Sequence, residues 1–188
     1  MPAFDLVTLC RTTDNIRVAA SRAAKIVSAL KRLAHPGDAA GAPTGGSISE
    51  SLDTVLTLYQ SQIKQGIEVE RAYEAPGVVW ARHDQLNQVW TNLVHNALQA
   101  MGETGTLALS VRELDGHVEV AITDSGPGIP VEAQKRVFEP FFTTKPLGEG
   151  TGLGLSICWD IVTQHGGTLA FETAPGRTTF TVTLPTAH

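Results

Sequence analysis

The pattern of apolar and polar positions is clearest between His83 and Met101, where it repeats with the period of an α-helix. At about 100° per residue, one broad face of this helix is apolar: Leu86, Val89, Trp90, Leu93, Val94, Ala97, Leu98 and Met101. The opposite face carries uncharged amides where an exposed helix usually carries Lys, Glu and Arg: Gln88, Asn92, Asn96 and Gln99. Because Asn is a poor helix former, this composition indicates a binding face, with an ordinary polar surface as the alternative.

Two earlier stretches also have helical periodicity. Asp5–Ala34 is close to a heptad repeat, but many of its apolar positions are alanine. A long helix with such small apolar side chains is only marginally stable when isolated. We therefore expect it to be half of a helical hairpin or bundle, possibly dimeric. The alternative is a helix that folds back on its own domain. Ser47–Glu50 matches a capping box, which opens a helix that Gly66 is placed to end.

Alternating patterns between turn residues predict six strands: Ile67–Tyr73, Val78–Trp80, Leu107–Glu113, Val118–Asp124, Thr168–Glu172 and Thr178–Leu184. Asp115-Gly116 and Pro175-Gly176 are hairpin turns between neighbouring strands. Helices are predicted at Val131–Val137 and Leu155–His165. The fold class is therefore α+β, a two-layer sandwich in which helices cover a mixed sheet.

The Pro- and Gly-rich stretch from His35 to Gly46 predicts a flexible connector. We therefore expect three parts: the helix at residues 1–35, a linker at 36–46, and a globular domain at 47–188. The first part has six basic and two acidic side chains, but the charges are interspersed with apolar positions. They favour a solvated helix face over a nucleic-acid or lipid site.

Composition bounds the remaining possibilities. The chain has 188 residues, a net charge of −5 and 42% hydrophobic residues, which suits one good core. No apolar run is long enough to span a bilayer and no signal-peptide pattern is present. Cys10 and Cys158 lack metal spacing, so a zinc or redox CxxC site is excluded. These features favour a cytoplasmic chain, and whether a longer parent is membrane-anchored stays open.

Three segments after the amide-bearing helix combine glycine with polar side chains. Asp124–Pro130 follows a strand directly, and its glycines leave backbone that a flat ligand can approach. Phe138–Lys145 places aromatics beside two hydroxyls and an ammonium. Pro146–Leu155 carries four glycines and leads into a helix, which is a typical anion site. It is neither a dinucleotide fingerprint, because Leu153 stands where Gly is required, nor a Walker loop.

Together these four segments resemble the ATP-binding domain of sensor histidine kinases, in the superfamily shared with gyrase, Hsp90 and MutL. His83–Met101 is similar to the N box, Asp124–Ile129 to the first glycine box, Phe138–Phe142 to the F box, and Gly148–Gly154 to the second glycine box. The resemblance covers about residues 47–185. It implies a Bergerat-type ATP-binding fold, with ATP and Mg²⁺ as ligands.

The resemblance also implies roles for individual residues, none of them covalent. Asn96 would ligate Mg²⁺, with Asn92 near the phosphates, and Asp124 would accept a hydrogen bond from the adenine amine. Other residues would contact the base or anchor the segment beside it: Gly126, Gly128, Ile129, Thr178, Phe141 and Phe142. The remaining group would surround the phosphates: Gln99, Thr143, Thr144, Lys145, Gly148, Gly150, Thr151, Gly152, Leu153, Gly154 and Leu155.

Two departures from the family pattern matter. The segment between Phe142 and Gly148 is very short, and many members of the resembled family have a lysine near position 99, where Gln99 supplies no charge for a phosphate contact. In addition, none of the six histidines has the acidic neighbour and helical context of a phospho-acceptor. The helix at Asp5–Ala34 resembles the second helix of the family's dimerisation and phosphotransfer hairpin, whose first helix would carry the acceptor. We therefore expect a fragment of a longer kinase, or a natural chain that depends on another protein for its histidine.

Three functions are compatible with such a domain. The first is the catalytic half of a protein-histidine kinase in a two-component system, with a response regulator downstream, a homodimeric parent and no nucleic-acid partner. The second is a hydrolytic clamp, which the sequence disfavours because Asn92 stands where such enzymes place a general-base Glu. The third is a stand-alone module, such as an anti-sigma-like serine kinase or an ATP-dependent binding module.

Overall fold

The computed structural model describes residues 42–145 and 150–186. The predicted helix at residues 5–34, most of the predicted linker and Gly148 lie outside the described residues. Seven strands and five helices follow one another in the order β1, α1, α2, β2, β3, α3, β4, β5, α4, α5, β6 and β7 within this part of the chain. Their bounds are β1 Thr44–Ser47, α1 Ile48–Leu58, α2 Gln60–Ile63, β2 Ile67–Tyr73, β3 Val78–Ala81, α3 His83–Met101, β4 Gly105–Leu114, β5 His117–Asp124, α4 Val131–Gln134, α5 Gly154–Gln164, β6 Thr168–Ala174 and β7 Arg177–Pro185.

The main sheet has five strands in the order β2-β4-β5-β7-β6. Strand β2 is parallel to β4, and the other neighbours are antiparallel, so the sheet is mixed as predicted. Helices α1, α3 and α5 cover one face, and the core between the layers includes Trp90, Leu107 and Val182. The α+β two-layer architecture is confirmed.

Strand periodicity explains why the described helices cover one particular face of the sheet. In β5, Val118, Val120 and Ile122 are buried under the helices, while the intervening residues are half-buried on the open face. The same alternation in β4 buries Leu107 and Leu109. The buried face of β5 ends at Asp124, which places a carboxylate at the rim of the core beside the helical layer.

Three predictions about local structure need correction. Residues 44–46, assigned to the linker, instead form most of β1, which pairs with β3 in a separate two-stranded sheet. The helix that Ser47 caps ends at Leu58, and a second short helix follows Tyr59. Helix α4 ends at Gln134 rather than Val137 and continues as turns. Helix α3, in contrast, has the bounds that its periodicity predicted.

Candidate functional site

Asp124 is the most buried carboxylate of the site, with a relative exposure of 4%. Its Oδ1 accepts a hydrogen bond of 2.9 Å from the backbone N–H of Gly126. Burial raises the pKa of Asp124, and the hydrogen bond from Gly126 opposes this rise. A buried acceptor at the end of a strand can bind an N–H donor of a ligand, such as an exocyclic amine.

The glycines after Asp124 sit where side chains do not fit. A Cβ on Gly126 would lie 2.7 Å from Oδ1 of Asp124 and 3.0 Å from Cβ of Ala100 on α3. Gly128 has φ +87°, and a Cβ there would lie 2.6 Å from the carbonyl oxygen of Ala174. The first glycine segment is therefore packed tightly between the end of α3 and strand β6.

Thr178 stands opposite Asp124 in the register of β5 and β7 and is also buried. Its hydroxyl lies 3.1 Å from Oγ1 of Thr173, which in turn accepts a hydrogen bond from the N–H of Ile129 at 2.9 Å. Thr173 was missed by the sequence analysis, which ended its strand one residue earlier. A threonine in a predicted strand does not by itself indicate that its hydroxyl contacts a distant backbone N–H.

On the amide face of α3, Asn92 makes a contact that the resemblance did not imply. Its Nδ2 donates a hydrogen bond of 3.2 Å to the carbonyl oxygen of Gly154, the first residue of α5. Asn96 lies one turn further along the same face and is half-buried, and Gln99 is exposed one turn beyond that. The amide face thus runs from the beginning of α5 towards the first glycine segment.

The segment after α4 approaches the second glycine segment through its backbone. Phe141 has φ +66° and is 61% exposed, which is unusual for an aromatic residue. A Cβ on Gly152, whose φ is +65°, would lie 2.3 Å from the carbonyl carbon of Phe141. Phe142 lies under the guanidinium of Arg136, whose Cζ is 4.4 Å from the ring centroid. Only glycine allows this close approach of the two backbones.

The described residues of the second glycine segment differ in how closely the rest of the domain packs around them. A Cβ on Gly150 would lie 2.4 Å from Oγ1 of Thr143, whereas a Cβ on Gly154 would make ordinary contact with Asn92. Leu153 is buried and directly precedes α5 as its N-cap residue, and Leu155 packs against the core. The two remaining hydroxyls of the predicted site are Thr144, which is exposed, and Thr151, whose Oγ1 lies 3.4 Å from the N–H of Leu153.

Lys145 reaches α3. Its ammonium contacts Oε1 of Gln99, and its backbone N–H donates to Oγ1 of Thr143 at 3.1 Å. The structure therefore joins all four segments around α3: Asn92 contacts Gly154, Gln99 contacts Lys145, Ala100 approaches Gly126, and Phe141 approaches Gly152.

A magnesium ion fits this donor set only in part. Residues 42–145 and 150–186 contain no cluster of three or more His, Cys, Asp or Glu side chains that could hold a metal. Mg²⁺, however, keeps several waters and is often held by one or two protein oxygens together with substrate phosphates. Asn96 is half-buried between Asn92 and Gln99 on the amide face of α3, and its side chain carries an oxygen of the kind that Mg²⁺ prefers.

Comparison with known proteins identifies this arrangement. Residues 81–188 match the family described as histidine kinase-, DNA gyrase B- and HSP90-like ATPase. The chain belongs to this family. Its described domain is therefore a histidine-kinase-type ATP-binding domain, in agreement with the resemblance carried by the four boxes.

Individual relatives of the ATP-binding domain agree. The chain is 34% identical over 185 residues to the C4-dicarboxylate transport sensor protein DctB of Rhizobium meliloti (strain 1021), covering 96% of this chain and 29% of DctB. It therefore spans well under half the length of that curated relative. Among solved structures, the catalytic domain of histidine kinase ThkA is 34% identical with a TM-score of 0.71, covering 77% of this chain and 96% of that chain. A structure of ThkA in complex with the response regulator protein TrrA is 30% identical with a TM-score of 0.79, covering 97% of this chain and 53% of that chain.

No helix among the described residues of this ATP-binding domain is both long and apolar enough to cross a membrane.

Proposed function

We propose that this chain is the Mg·ATP-binding catalytic domain of a two-component sensor histidine kinase, and that it directs the γ-phosphate of ATP to a histidine supplied from outside residues 1–188. The observation that carries the proposal is that one helix, α3, meets both segments: Asn92 contacts Gly154 at the beginning of α5, and Ala100 packs against Gly126, the glycine next to the buried Asp124. The hydrogen-bond acceptor for adenine and the N-terminus of the phosphate-binding helix then belong to one nucleotide-binding site.

In this proposal Asp124 accepts a hydrogen bond from the adenine amine, while Gly126, Gly128 and Ile129 pack against the base. Asn96 would hold Mg²⁺ through its amide oxygen, and the ion would supply positive charge to the phosphates. The first turn of α5 presents backbone N–H groups that have no acceptor within the helix, and they point towards the anion together with the positive end of the helix dipole.

The proposed chemistry needs no covalent catalyst in this domain. An imidazole attacks the γ-phosphorus, the bond between that phosphorus and the bridging oxygen of ADP breaks, and the protein contributes positioning and charge neutralisation. Hydrolysis is disfavoured because Asn92 cannot accept a proton and already donates its amide hydrogen to Gly154.

The described histidines support an external acceptor. His83 contacts the carbonyl oxygen of Thr44, and the ring of His95 lies 5.9 Å from that of Tyr59. His165 lies between the carbonyl oxygen of Ile161 and the N–H of Arg82. His117 contacts the backbone carbonyl oxygen of Asp115 in the turn between β4 and β5. These contacts are structural, so we assign the acceptor to the first helix of a dimerising hairpin, supplied in cis or in trans. A response regulator, as in the ThkA–TrrA complex, is the proposed partner downstream.

Titration calorimetry of the chain with a non-hydrolysable ATP analogue tests the proposal. We expect binding that weakens when Mg²⁺ is removed with EDTA, and a smaller effect of EDTA in Asn96→Ala. Absence of any magnesium-dependent binding would contradict the proposed function. With labelled ATP, the chain alone should acquire no acid-labile, base-stable phosphate; such a label would place the acceptor histidine within this chain.

A further inference from the structure

The contact between Gln99 and Lys145 joins two residues that are 46 positions apart in the sequence. Gln99 ends the amide face of α3, and Lys145 follows the aromatic segment after α4. The last turn of α3, where Gln99 stands, carries no basic side chain. The contact brings the ammonium of Lys145 to that place.

We propose that Gln99 is a positioning residue that holds the ammonium of Lys145 beside the phosphate site, so that this lysine supplies from the neighbouring segment the charge that α3 lacks. The inference rests on the proposed function, because it assigns Lys145 to the terminal phosphates of ATP. Beyond that function, it assigns to Gln99 a role in orienting Lys145 rather than in contacting the nucleotide itself.

The chemistry of the pair suits this role. The side chain of Gln99 offers a carbonyl oxygen, and the ammonium of Lys145 has three donors and no acceptor. A neutral acceptor orients the ammonium without cancelling its positive charge. A carboxylate at the same position would orient it equally well, but would cancel the charge and repel the phosphates.

The backbone of Lys145 is fixed as well. Its N–H donates to Oγ1 of Thr143 at 3.1 Å, which closes a turn two residues long. A Cβ on Gly150 would lie 3.4 Å from Cβ of Lys145, so the second glycine segment passes next to the lysine. The beginning of the lysine side chain thus lies next to the backbone that leads into α5, and its ammonium lies at the amide face of α3.

The position of Gln99 relative to the proposed metal ligand supports the assignment. Asn96 and Gln99 are three residues apart on α3, so they lie on neighbouring turns of one face, with a rise of about 4.5 Å between them. A cation held at Gln99 is therefore adjacent to the place where Asn96 would bind Mg²⁺. The ammonium of Lys145 and a Mg²⁺ ion at Asn96 would be two neighbouring positive charges, which match the charge of a triphosphate better than that of a diphosphate.

Exchange of the two side chains tests the proposal. Affinities of Mg·ATP analogue and Mg·ADP are measured by calorimetry for wild type, Gln99→Ala, Gln99→Glu, Lys145→Gln and the double variant Gln99→Lys/Lys145→Gln. We expect Lys145→Gln to lose about tenfold affinity for the ATP analogue and less for ADP. Gln99→Glu should lose at least as much, Gln99→Ala a few-fold, and the double variant should regain most of the loss.

Two controls keep the outcomes distinct. Lys135→Gln removes one charge from an exposed lysine at the end of α4 and should leave both affinities unchanged. Because Gln99 is exposed, its replacements leave the core intact, and unchanged melting temperatures check this. Wild type that binds no nucleotide refutes the proposed function. If wild type binds the ATP analogue and both Gln99→Ala and Gln99→Glu bind it with the same affinity, the role of Gln99 is refuted and the proposed function stands. A double variant that binds the analogue as weakly as Lys145→Gln refutes the role of Gln99 in the same way.

Discussion

Nδ2 of Asn92 donates a hydrogen bond of 3.2 Å to the carbonyl oxygen of Gly154, across 62 positions of sequence. Two further contacts follow the same antiparallel line between α3 and α5: Sγ of Cys158 lies 3.8 Å from the carbonyl oxygen of Val89, and the N–H of Arg82 donates to Nε2 of His165 at 3.2 Å. The register of the two helices therefore fixes the beginning of α5 relative to the amide face.

This register makes two chemically identical substitutions behave differently. Asn92→Asp replaces the donor by a carboxylate that faces the carbonyl oxygen of Gly154, so we expect a loss of about 1–3 kcal/mol in the free energy of unfolding and weaker nucleotide binding. Asn96→Asp keeps an oxygen ligand for Mg²⁺, and we expect magnesium-dependent binding to persist. Urea denaturation and calorimetry of both variants measure the contrast. Equal losses in the two would show that the contact with Gly154 has no special role.

Asp124→Asn is expected to weaken adenine nucleotide binding and to stabilise the free protein at neutral pH. An amide can keep the hydrogen bond from Gly126 through its oxygen, but then presents a donor where the carboxylate offered a second acceptor. We expect at least tenfold weaker binding. The gain in stability follows because the variant no longer buries an ionised carboxylate.

The pH dependence of stability gives an independent check on Asp124. Burial raises its pKa in the folded protein above the unfolded value of about 3.9. Between these two values the folded state holds more protons, so this group lowers the free energy of unfolding as pH rises, and its full cost is present above the folded pKa. The difference in stability between Asp124→Asn and wild type should therefore grow with pH through this window. A constant difference would contradict the assignment.

Gly152→Ala should destabilise the domain more than Gly176→Ala. Both glycines have positive φ, +65° and +83°, so alanine costs about 1 kcal/mol of backbone strain at either position. A Cβ at Gly176 meets nothing within 4 Å, whereas a Cβ at Gly152 would meet the carbonyl group of Phe141. We expect an additional loss of about 1–3 kcal/mol for Gly152→Ala, measured by urea denaturation. Similar losses would mean that the two backbones separate easily.

Cys158 should resist thiol reagents in the folded protein. Its side chain is completely buried, and burial raises the pKa of its thiol to about 12, so little thiolate forms at pH 8. In a Cys10→Ser background, iodoacetamide should label the protein only after denaturation. The rate of labelling in increasing urea then reports how often α5 separates from α3. Rapid labelling of the native protein at pH 8 would contradict the observed burial.

The sequence determined those features that depend on neighbours within one element. The bounds of α3, the hairpin of β4 and β5, the cap at Ser47 and the family itself follow from spacings of a few residues, because periodicity and turn chemistry are local. It also placed Asp124 at the end of a strand. The mixed sheet followed from the order of these elements.

Only the tertiary structure decided which distant residues meet. No pattern in the sequence pairs β1 with β3, directs the amide of Asn92 to Gly154, or brings Lys145 to Gln99. The two side-chain contacts span 62 and 46 positions, and they exist because burial of the apolar face of α3 brings its amide face alongside α5. A one-dimensional pattern records which face a side chain occupies, whereas its partner depends on how the layers pack.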